Sequence, residues 1–267
     1  MDSDAGGKDA AYVARLLAGS VRTISRASFT RASTAEVSSN IPVPAPTPAQ
    51  TVVRAHGPIQ HVIYIIKENR TYDQILGDFP GTDGDPAIAR FGGKVTPNQH
   101  ALARRFGVFD NTYTDAQVSA SGHTWSTAAL ANDYLERFWP ENYGGRRQRY
   151  DFEDGAVASV PRSGYLWDNA KRNGVTYRDY GEFVAIPALL GIETTQMPEL
   201  KDHIDPAYRG FDLTVSDEAR VDEWQREFNA FVQHGNLPAL EIVRLPNDHT
   251  AYTKTGALTP SAYIAQN

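Results

Sequence analysis

Three short polar segments each follow an apolar run of the kind that forms β-strands. Glu68 and Asn69 follow HVIYIIK, Glu182 follows VTYRDYG, and the pair Asp248 and His249 follows LEIVRLPN. In open α/β sheets, ligands bind beyond the carboxyl ends of the strands, so polar side chains at three such ends can form one site. The alternative for each segment is that its polar residues only mark the end of a strand, as they do in most loops.

The side chains at these strand ends have the chemistry of a metal site. Glu68 and Asn69 supply oxygen ligands of the hard type that suits Mg, Ca or Mn, and Zn also accepts a carboxylate. His249 could add an imidazole ligand or act as an acid or base, although an isolated histidine is more often a structural residue. Asp248 could equally cap the turn that follows it.

The segment SASGHTWSTAALANDYLERF is the richest in candidate nucleophiles. A Ser or Thr at the start of a helix lies beside free backbone N–H groups and the positive end of the helix dipole, an arrangement that also binds phosphate. A divalent ion lowers the pKa of such a hydroxyl and generates the alkoxide near neutral pH. The alternative is that Ser119, Ser121 or Thr124 serves only as an N-cap.

The elements that would position these residues alternate along the chain from Ile59. The pattern predicts strands at HVIYIIKEN, GVFDNTYT, GVTYRDYGE and ALEIVRL. It predicts helices at TPNQHALARRF, around His123–Arg137, at SGYLWDNAKRNG between caps Ser163 and Gly174, and at SDEARVDEWQREFNAFVQHG before a glycine stop. Such alternation is typical of a mostly parallel sheet with helices on both faces, and HVIYIIKEN suits a central strand buried on both sides.

The two ends of the chain differ from this α/β region. Residues 1–57 contain a possible amphipathic helix at Ala10–Ser25 and the segment IPVPAPTPAQ, which is typical of an extended linker, so we assign residues 58–267 to the folded domain. At the other end, Thr259 and Pro260 begin a new helix that stops at Asn267 without a C-cap signal. We therefore expect the domain to be truncated at its C-terminus.

Composition excludes several classes of function. The 267 residues carry a net charge of −6, which argues against a nucleic-acid backbone as the main partner. The chain has no cysteine, which excludes disulfides, thiolate metal sites and a cysteine nucleophile. The apolar run Val62–Ile66 is too short to cross a bilayer, and the polar N-terminus does not read as a signal peptide.

Several of these segments resemble one known family. HVIYIIKENRTYDQILGDF closely resembles the opening motif of the phosphoesterase family that contains bacterial phospholipases C and acid phosphatases, within the alkaline phosphatase-like superfamily. TPNQHALARRFGVFDNTYTDAQVSASGHTWS is similar to its second block, and RDYGEF and LPNDHT are similar to later blocks. The resemblance implies a three-layer α/β fold, incomplete here at the C-terminus, and a metal-dependent hydrolase of phosphate esters.

The resemblance also implies roles for individual residues. Glu68 and Asn69 correspond to the pair that binds the divalent metal, and Ser119 corresponds to the nucleophile, which also contacts the metal. His123 corresponds to a neighbouring phosphate or acid/base contact, with Asp248 and His249 as secondary contacts. The family has a Ser-x-x-Asn-His pattern where this chain has Gly122 before the histidine, so Ser121 or Thr124 stays open as the nucleophile.

The same resemblance implies partners and leaves rival functions. Related proteins place this domain after a YVTN-type β-propeller and are periplasmic or secreted, and they complete the metal site with an Asp-Asp pair downstream of the last block, where this chain ends. A sulfatase is disfavoured because its Cys/Ser-x-Pro-x-Arg motif is missing from the sequence, while a cofactor-independent mutase stays open. The rival from another class is a non-catalytic binding or surface module that keeps the fold without a full metal site.

Overall fold

The computed structural model describes residues 57–144, 150–153, 155–185, 193–251 and 254–267, together with the single positions Val21, Thr23, Val52 and Arg54. The helix expected at Ala10–Ser25 and the proline-rich linker lie outside these described residues. Among the residues that the structure describes, no helix has the length and hydrophobicity needed to cross a bilayer.

A three-stranded parallel sheet forms the centre of the described region. Its strands are β1 (Val62–Ile66), β2 (Tyr177–Tyr180) and β3 (Leu240–Arg244), in the order β1-β3-β2. Because all three strands run in the same direction, their carboxyl ends lie at one edge of the sheet. The expectation of an α/β fold with a parallel sheet is therefore confirmed at the level of class.

Helices accompany these strands along the chain. They are α1 (Tyr72–Leu76), α2 (Pro97–Phe106), α3 (Ser119–Ala128), α4 (Asp133–Asn142), α5 (Leu166–Arg172), α6 (Asp217–His234) and α7 (Pro260–Gln266). Short 3₁₀ turns occur at Pro86–Ile88, Val157–Ser159 and Asn247–His249. The last of these turns follows β3 directly and carries two of the predicted site residues.

Both faces of the sheet pack against helices. On one face, Ile242 of β3 and Tyr177 of β2 belong to the same apolar cluster as Trp167 of α5. On the other face, Val243 of β3 packs in a cluster with Trp224 of α6. Neighbouring residues of a strand point to opposite faces, so β3 contributes to both cores, and full burial of a side chain such as Ile242 contributes about 2 kcal/mol.

The longest helix, α6, ends as the sequence predicts. It begins after Ser216, whose Oγ accepts a hydrogen bond from Ala219 N–H at 3.0 Å, and it ends at Gly235, whose φ of 66° lies in the left-handed region. Glycine adopts this conformation without the steric penalty of a Cβ, which is why a helix stops there. Helix α7 likewise begins at the predicted Pro260, and α2 begins at Pro97.

The position predicted for β1 is wrong. We expected a central strand buried on both faces, but β3 is central and β1 is an edge strand of the described sheet, with Ile63 and Ile65 41% and 53% exposed. A β-branched run indicates a strand but does not by itself say how many neighbours that strand has. The apolar side chains of β1 therefore predicted the strand correctly but not its position at the edge of the sheet.

The strand predicted at GVFDNTYT does not form. Residues 107–114 have no strand structure, and Phe109 is 88% exposed. Strand propensity reflects packing on a pleated, half-buried surface, and none of the three strands in the described ranges pairs with this segment.

Two helix boundaries also differ from the prediction. The helical region around His123–Arg137 is two helices, because Ala129 adopts a left-handed φ of 58° and Asn132 caps α4 by accepting a hydrogen bond from Leu135 N–H. Helix α5 is shorter than predicted. Its first turn is held by Asp168, which accepts a hydrogen bond from Tyr165 N–H at 2.8 Å, so Ser163 and Gly174 lie outside the helix.

Candidate functional site at the carboxyl edge of the sheet

The ends of β1 and β3 are joined by Arg70. Its guanidinium donates from Nε to the carbonyl of Asp248 at 2.8 Å and from Nη2 to the carbonyl of His249 at 3.1 Å. These bonds hold the turn after β3 against the loop after β1. As a result, His249 Nε2 lies 3.3 Å from Glu68 Oε1, and the structure brings together two residues that are 181 positions apart in the sequence.

Asp248 is a buried acid beside Glu68. The residue is 5% exposed, and its Oδ1 has no hydrogen-bond partner. Burial raises the pKa of Asp248 to about 8, the charge of Glu68 adds to the rise, and Lys67 and Arg70 oppose it. A carboxylate in this position is unfavourable until a positive charge or a proton reaches it.

Asn69 adopts an unusual backbone conformation. Its φ is 89°, in the left-handed region that few residues other than glycine and asparagine adopt. Asparagine is among the few residues besides glycine that tolerate this conformation, so Asn69 suits the turn after β1. The predicted metal pair, Glu68 and Asn69, lies on the loop directly after β1.

His123 is held by protein groups on both ring nitrogens. Its Nδ1 lies 2.7 Å from Glu182 Oε1, and Arg244 Nη2 lies 3.2 Å from its Nε2. A guanidinium only donates, so in this arrangement Nε2 accepts and the ring proton sits on Nδ1. Burial opposes protonation of the ring, but Glu182 outweighs it, so the pKa of His123 is raised although Arg244 acts against the rise.

Glu182 and Arg244 extend this buried network from β2 and β3. Burial would raise the pKa of Glu182, but His123 and Arg244 outweigh burial, so the pKa of this fully buried carboxyl is lowered. Arg244 Nη1 lies 3.3 Å from Glu153 Oε1, and Arg244 Nε lies 3.6 Å from Glu182 Oε2. Neither Nε nor Oε2 has a hydrogen bond, so this network is incompletely satisfied.

Phe211 joins the two halves of the site. Its ring centroid lies 5.1 Å from that of His249 with an interplanar angle of 83°, and the Arg244 guanidinium lies over the same ring at 5.4 Å. The Glu68–His249 pair and the His123–Glu182–Arg244 network are therefore parts of one contiguous region.

Helix α3 separates the three candidate nucleophiles by exposure. Ser119 is the first residue of α3 and is partly exposed, whereas Ser121 and Thr124 are fully buried and have hydroxyls without a hydrogen-bond partner. Of the three, Ser119 alone is accessible to a substrate. Ser119 and the Glu68–His249 pair lie on different elements, Ser119 on α3 and the pair on the loops after β1 and β3.

The residues of this edge have the donor types that suit a divalent ion, but their side chains are not gathered into one cluster. Two carboxylates, an amide and an imidazole are suitable donors, and the unpartnered oxygen of Asp248 beside Glu68 is a place where a cation would relieve repulsion. Within the described ranges, however, no three His, Asp or Glu side chains lie close enough together to hold an ion.

Sequence reasoning missed Arg244, Glu153 and Phe211. Arg244 had a visible signal, since it is a charged residue at the end of the buried run ALEIVRL. Glu153 and Phe211 lie in loops with no pattern that marks them.

Comparison with known proteins identifies no relative of this chain. No family model matches the sequence, and neither the curated proteins nor the solved structures contain a match. The assignment to the phosphoesterase family therefore stays a prediction from the motifs.

Proposed function

We propose that this chain is a phosphoesterase module of the alkaline phosphatase-like type, a metal-dependent hydrolase of phosphate esters with its site at the carboxyl edge of the sheet. The observation that carries the proposal is the meeting of Glu68 and His249 beside the buried, unpartnered carboxyl oxygen of Asp248. Ligands of α/β proteins bind at this edge, and the open oxygen of Asp248 lies there beside the Glu68–His249 pair.

A divalent ion at this edge would be held by Glu68 and Asn69, with Asp248 beside them. When bound, the ion would lower the pKa of a serine hydroxyl and neutralise charge on a phosphoryl oxygen. Arg70 keeps Asp248 and His249 in position through their backbone carbonyls. We assign the exchange of a proton with the departing alcohol to the imidazole of His249, and its contact with Glu68 supports this assignment.

Ser119 is the proposed nucleophile. It is the first residue of α3, at the positive end of the helix dipole, where developing phosphoryl charge is stabilised. His123, one turn further along, ties α3 to the ends of β2 and β3 through Glu182 and Arg244. These contacts position the start of the helix.

The proposed reaction has two steps. The Oγ of Ser119 loses its proton and forms a bond to phosphorus, the bond from phosphorus to the alcohol oxygen breaks, and the alcohol takes up one proton, so the first step has no net proton change. Water then attacks the phosphoserine, the bond from phosphorus to Oγ breaks, Oγ regains a proton from the water, and inorganic phosphate is released.

Hydrolysis of p-nitrophenyl phosphate and bis(p-nitrophenyl) phosphate, with Mg, Ca, Mn or Zn added, tests the proposal. Ser119→Ala should lower the rate by about 10³-fold or more without changing the circular dichroism spectrum. The matched control is Ser126→Ala, an exposed serine on the same helix, which should keep the wild-type rate. Hydrolysis that survives in Ser119→Ala would contradict the role of this serine, and a wild-type chain inert with every metal would contradict the activity.

One observation favours a second candidate function, a non-catalytic binding module. The described residues contain no ready cluster of three acidic or imidazole groups for an ion. A module of this kind would bind a phosphorylated ligand without turnover and would hold no stoichiometric metal, whereas the esterase must hold one.

A further inference from the structure

Phe211 is a half-exposed aromatic residue in the middle of the candidate site. Its side chain is 50% exposed although its ring contacts both His249 and the buried Arg244. Single exposed apolar residues are common on protein surfaces and need no explanation by themselves. Phe211 differs from such residues because hydrogen bonds hold the backbone on both sides of it in place.

The loop around Phe211 is held rigidly by Arg220. This fully buried arginine donates hydrogen bonds to the carbonyls of Arg209 at 2.7 Å, Gly210 at 2.7 Å and Asp212 at 2.8 Å, the backbone on both sides of the ring. Gly210 N–H in turn donates to the buried Glu193 Oε1 at 3.0 Å. A side chain on so constrained a backbone is already ordered before a ligand arrives.

Contact with Gly210 restricts this loop further. A Cβ at position 210 would lie 3.0 Å from Val184 Cγ2 and 3.1 Å from its carbonyl oxygen, so the backbone is packed directly against the chain beyond β2. Phe211 is thus presented from a fixed support, with Arg244 over the ring and half of its apolar surface still open.

We propose that Phe211 is a specificity-determining residue that stacks on a planar, apolar alcohol portion of a phosphoester bound at the carboxyl edge. The inference rests on the proposed function, because it assigns a substrate class to the same site. An ordered aromatic surface binds planar groups through offset stacking at little entropic cost. Phosphoesters of aryl alcohols are therefore preferred over those of small aliphatic alcohols.

Binding of two non-hydrolysable ligands tests this preference. With Mg²⁺ present, isothermal titration should show that the wild-type chain binds phenylphosphonate about tenfold more tightly than methylphosphonate. Phe211→Ala should reduce this ratio to about one, and Phe211→Leu, which keeps apolar area but loses the ring, should retain about a threefold preference. The matched control is Phe109→Ala, an exposed aromatic residue in another loop, which should keep the wild-type ratio.

The possible failures are distinguishable. A wild-type chain that binds neither phosphonate overturns the proposed function together with the role of Phe211. A wild-type chain that binds both ligands equally, or a Phe211→Ala variant that keeps the full phenyl preference, overturns the role of Phe211 alone. If Phe109→Ala loses the phenyl preference as fully as Phe211→Ala, the preference comes from non-specific apolar contact, and the proposal is also overturned.

Discussion

Arg220 and Arg244 are two buried arginines that contact segments following the strands of the sheet, and they differ in how completely their surroundings satisfy them. Arg220 makes six hydrogen bonds, four to backbone carbonyls and two to the side chains of Asp217 and Asn247. Arg244 contacts His123 and Glu153 at the longer distances of 3.2 and 3.3 Å, and its Nε has no partner.

The difference teaches how to tell a supporting network from a ligand site. A buried charge whose donors are all satisfied fixes the backbone around it and has nothing left to offer a ligand. A buried network with unpartnered atoms, such as Arg244 Nε and Glu182 Oε2, is less stabilising and retains hydrogen-bonding capacity. On this view Arg220 supports the backbone, whereas the Glu68–His249 pair and the His123–Glu182–Arg244 network form the candidate site.

The largest effect is expected when the supporting network is broken. Arg220→Met should lower the free energy of unfolding by about 4 kcal/mol, because it leaves Asp217 buried without its cation and several carbonyls without a donor. Urea denaturation followed by circular dichroism measures this change. Arg226→Met is the control, since Arg226 is largely exposed and its ion pair with Glu223 should contribute less than about 1 kcal/mol.

A smaller loss is expected in the site network. Arg244→Met should lower the free energy of unfolding by about 2 kcal/mol, because it removes a cation from Glu182 and Glu153 but breaks fewer and longer hydrogen bonds. The same denaturation experiment compares it with Arg220→Met. If the Arg244 variant proved the less stable of the two, the distinction between support and site would fail.

Asp205 is a buried acid that also has an oxygen without a hydrogen-bond partner, but its charged neighbours are residues of α6 such as Glu223 and Arg226. An unpartnered atom therefore does not by itself mark the candidate site. Burial raises the pKa of Asp205 to about 6, and the charges of Glu227 and Glu223 act in the same direction. The folded chain therefore binds a proton that the unfolded chain releases between about pH 4 and pH 6, so stability should fall by about 1 kcal/mol as the pH rises through this window.

Unfolding in urea at pH 4.5 and pH 7 checks this sign. Asp205→Asn should lose about 1 kcal/mol less stability than the wild-type chain between the two conditions, because other buried acids such as Asp248 keep their own contribution. A wild-type chain that gains stability relative to Asp205→Asn as the pH rises would show that Arg226, 3.9 Å away, lowers the pKa of this acid instead.

Sequence reasoning predicted the elements of this fold better than their arrangement. The parallel strands and the meeting of Glu68 with His249 follow from one rule, that parallel strands end at the same edge. That rule does not give the order of strands, so β1 was expected at the centre, and residues 107–114 were expected to pair with a neighbour that the described sheet lacks.

The side-chain contacts between distant parts of the chain could not be predicted from the sequence. His123 was predicted as a substrate contact, but its pairing with Glu182 and Arg244 depends on how α3 packs against the strand ends. Phe211 and its support by Arg220 depend on the path of a loop. Neither contact follows from local periodicity or from a short motif.

The central claim, that the carboxyl edge of the sheet is a metal-dependent phosphoester site, is tested most directly by metal binding. Equilibrium dialysis of the wild-type chain, Glu68→Gln and Glu223→Gln against Mn²⁺ gives the number of ions bound. We predict about one ion for the wild-type chain and for Glu223→Gln, whose substitution lies on α6, and none for Glu68→Gln. A wild-type chain without stoichiometric metal, or a Glu68→Gln variant that binds as well as wild type, would contradict the account.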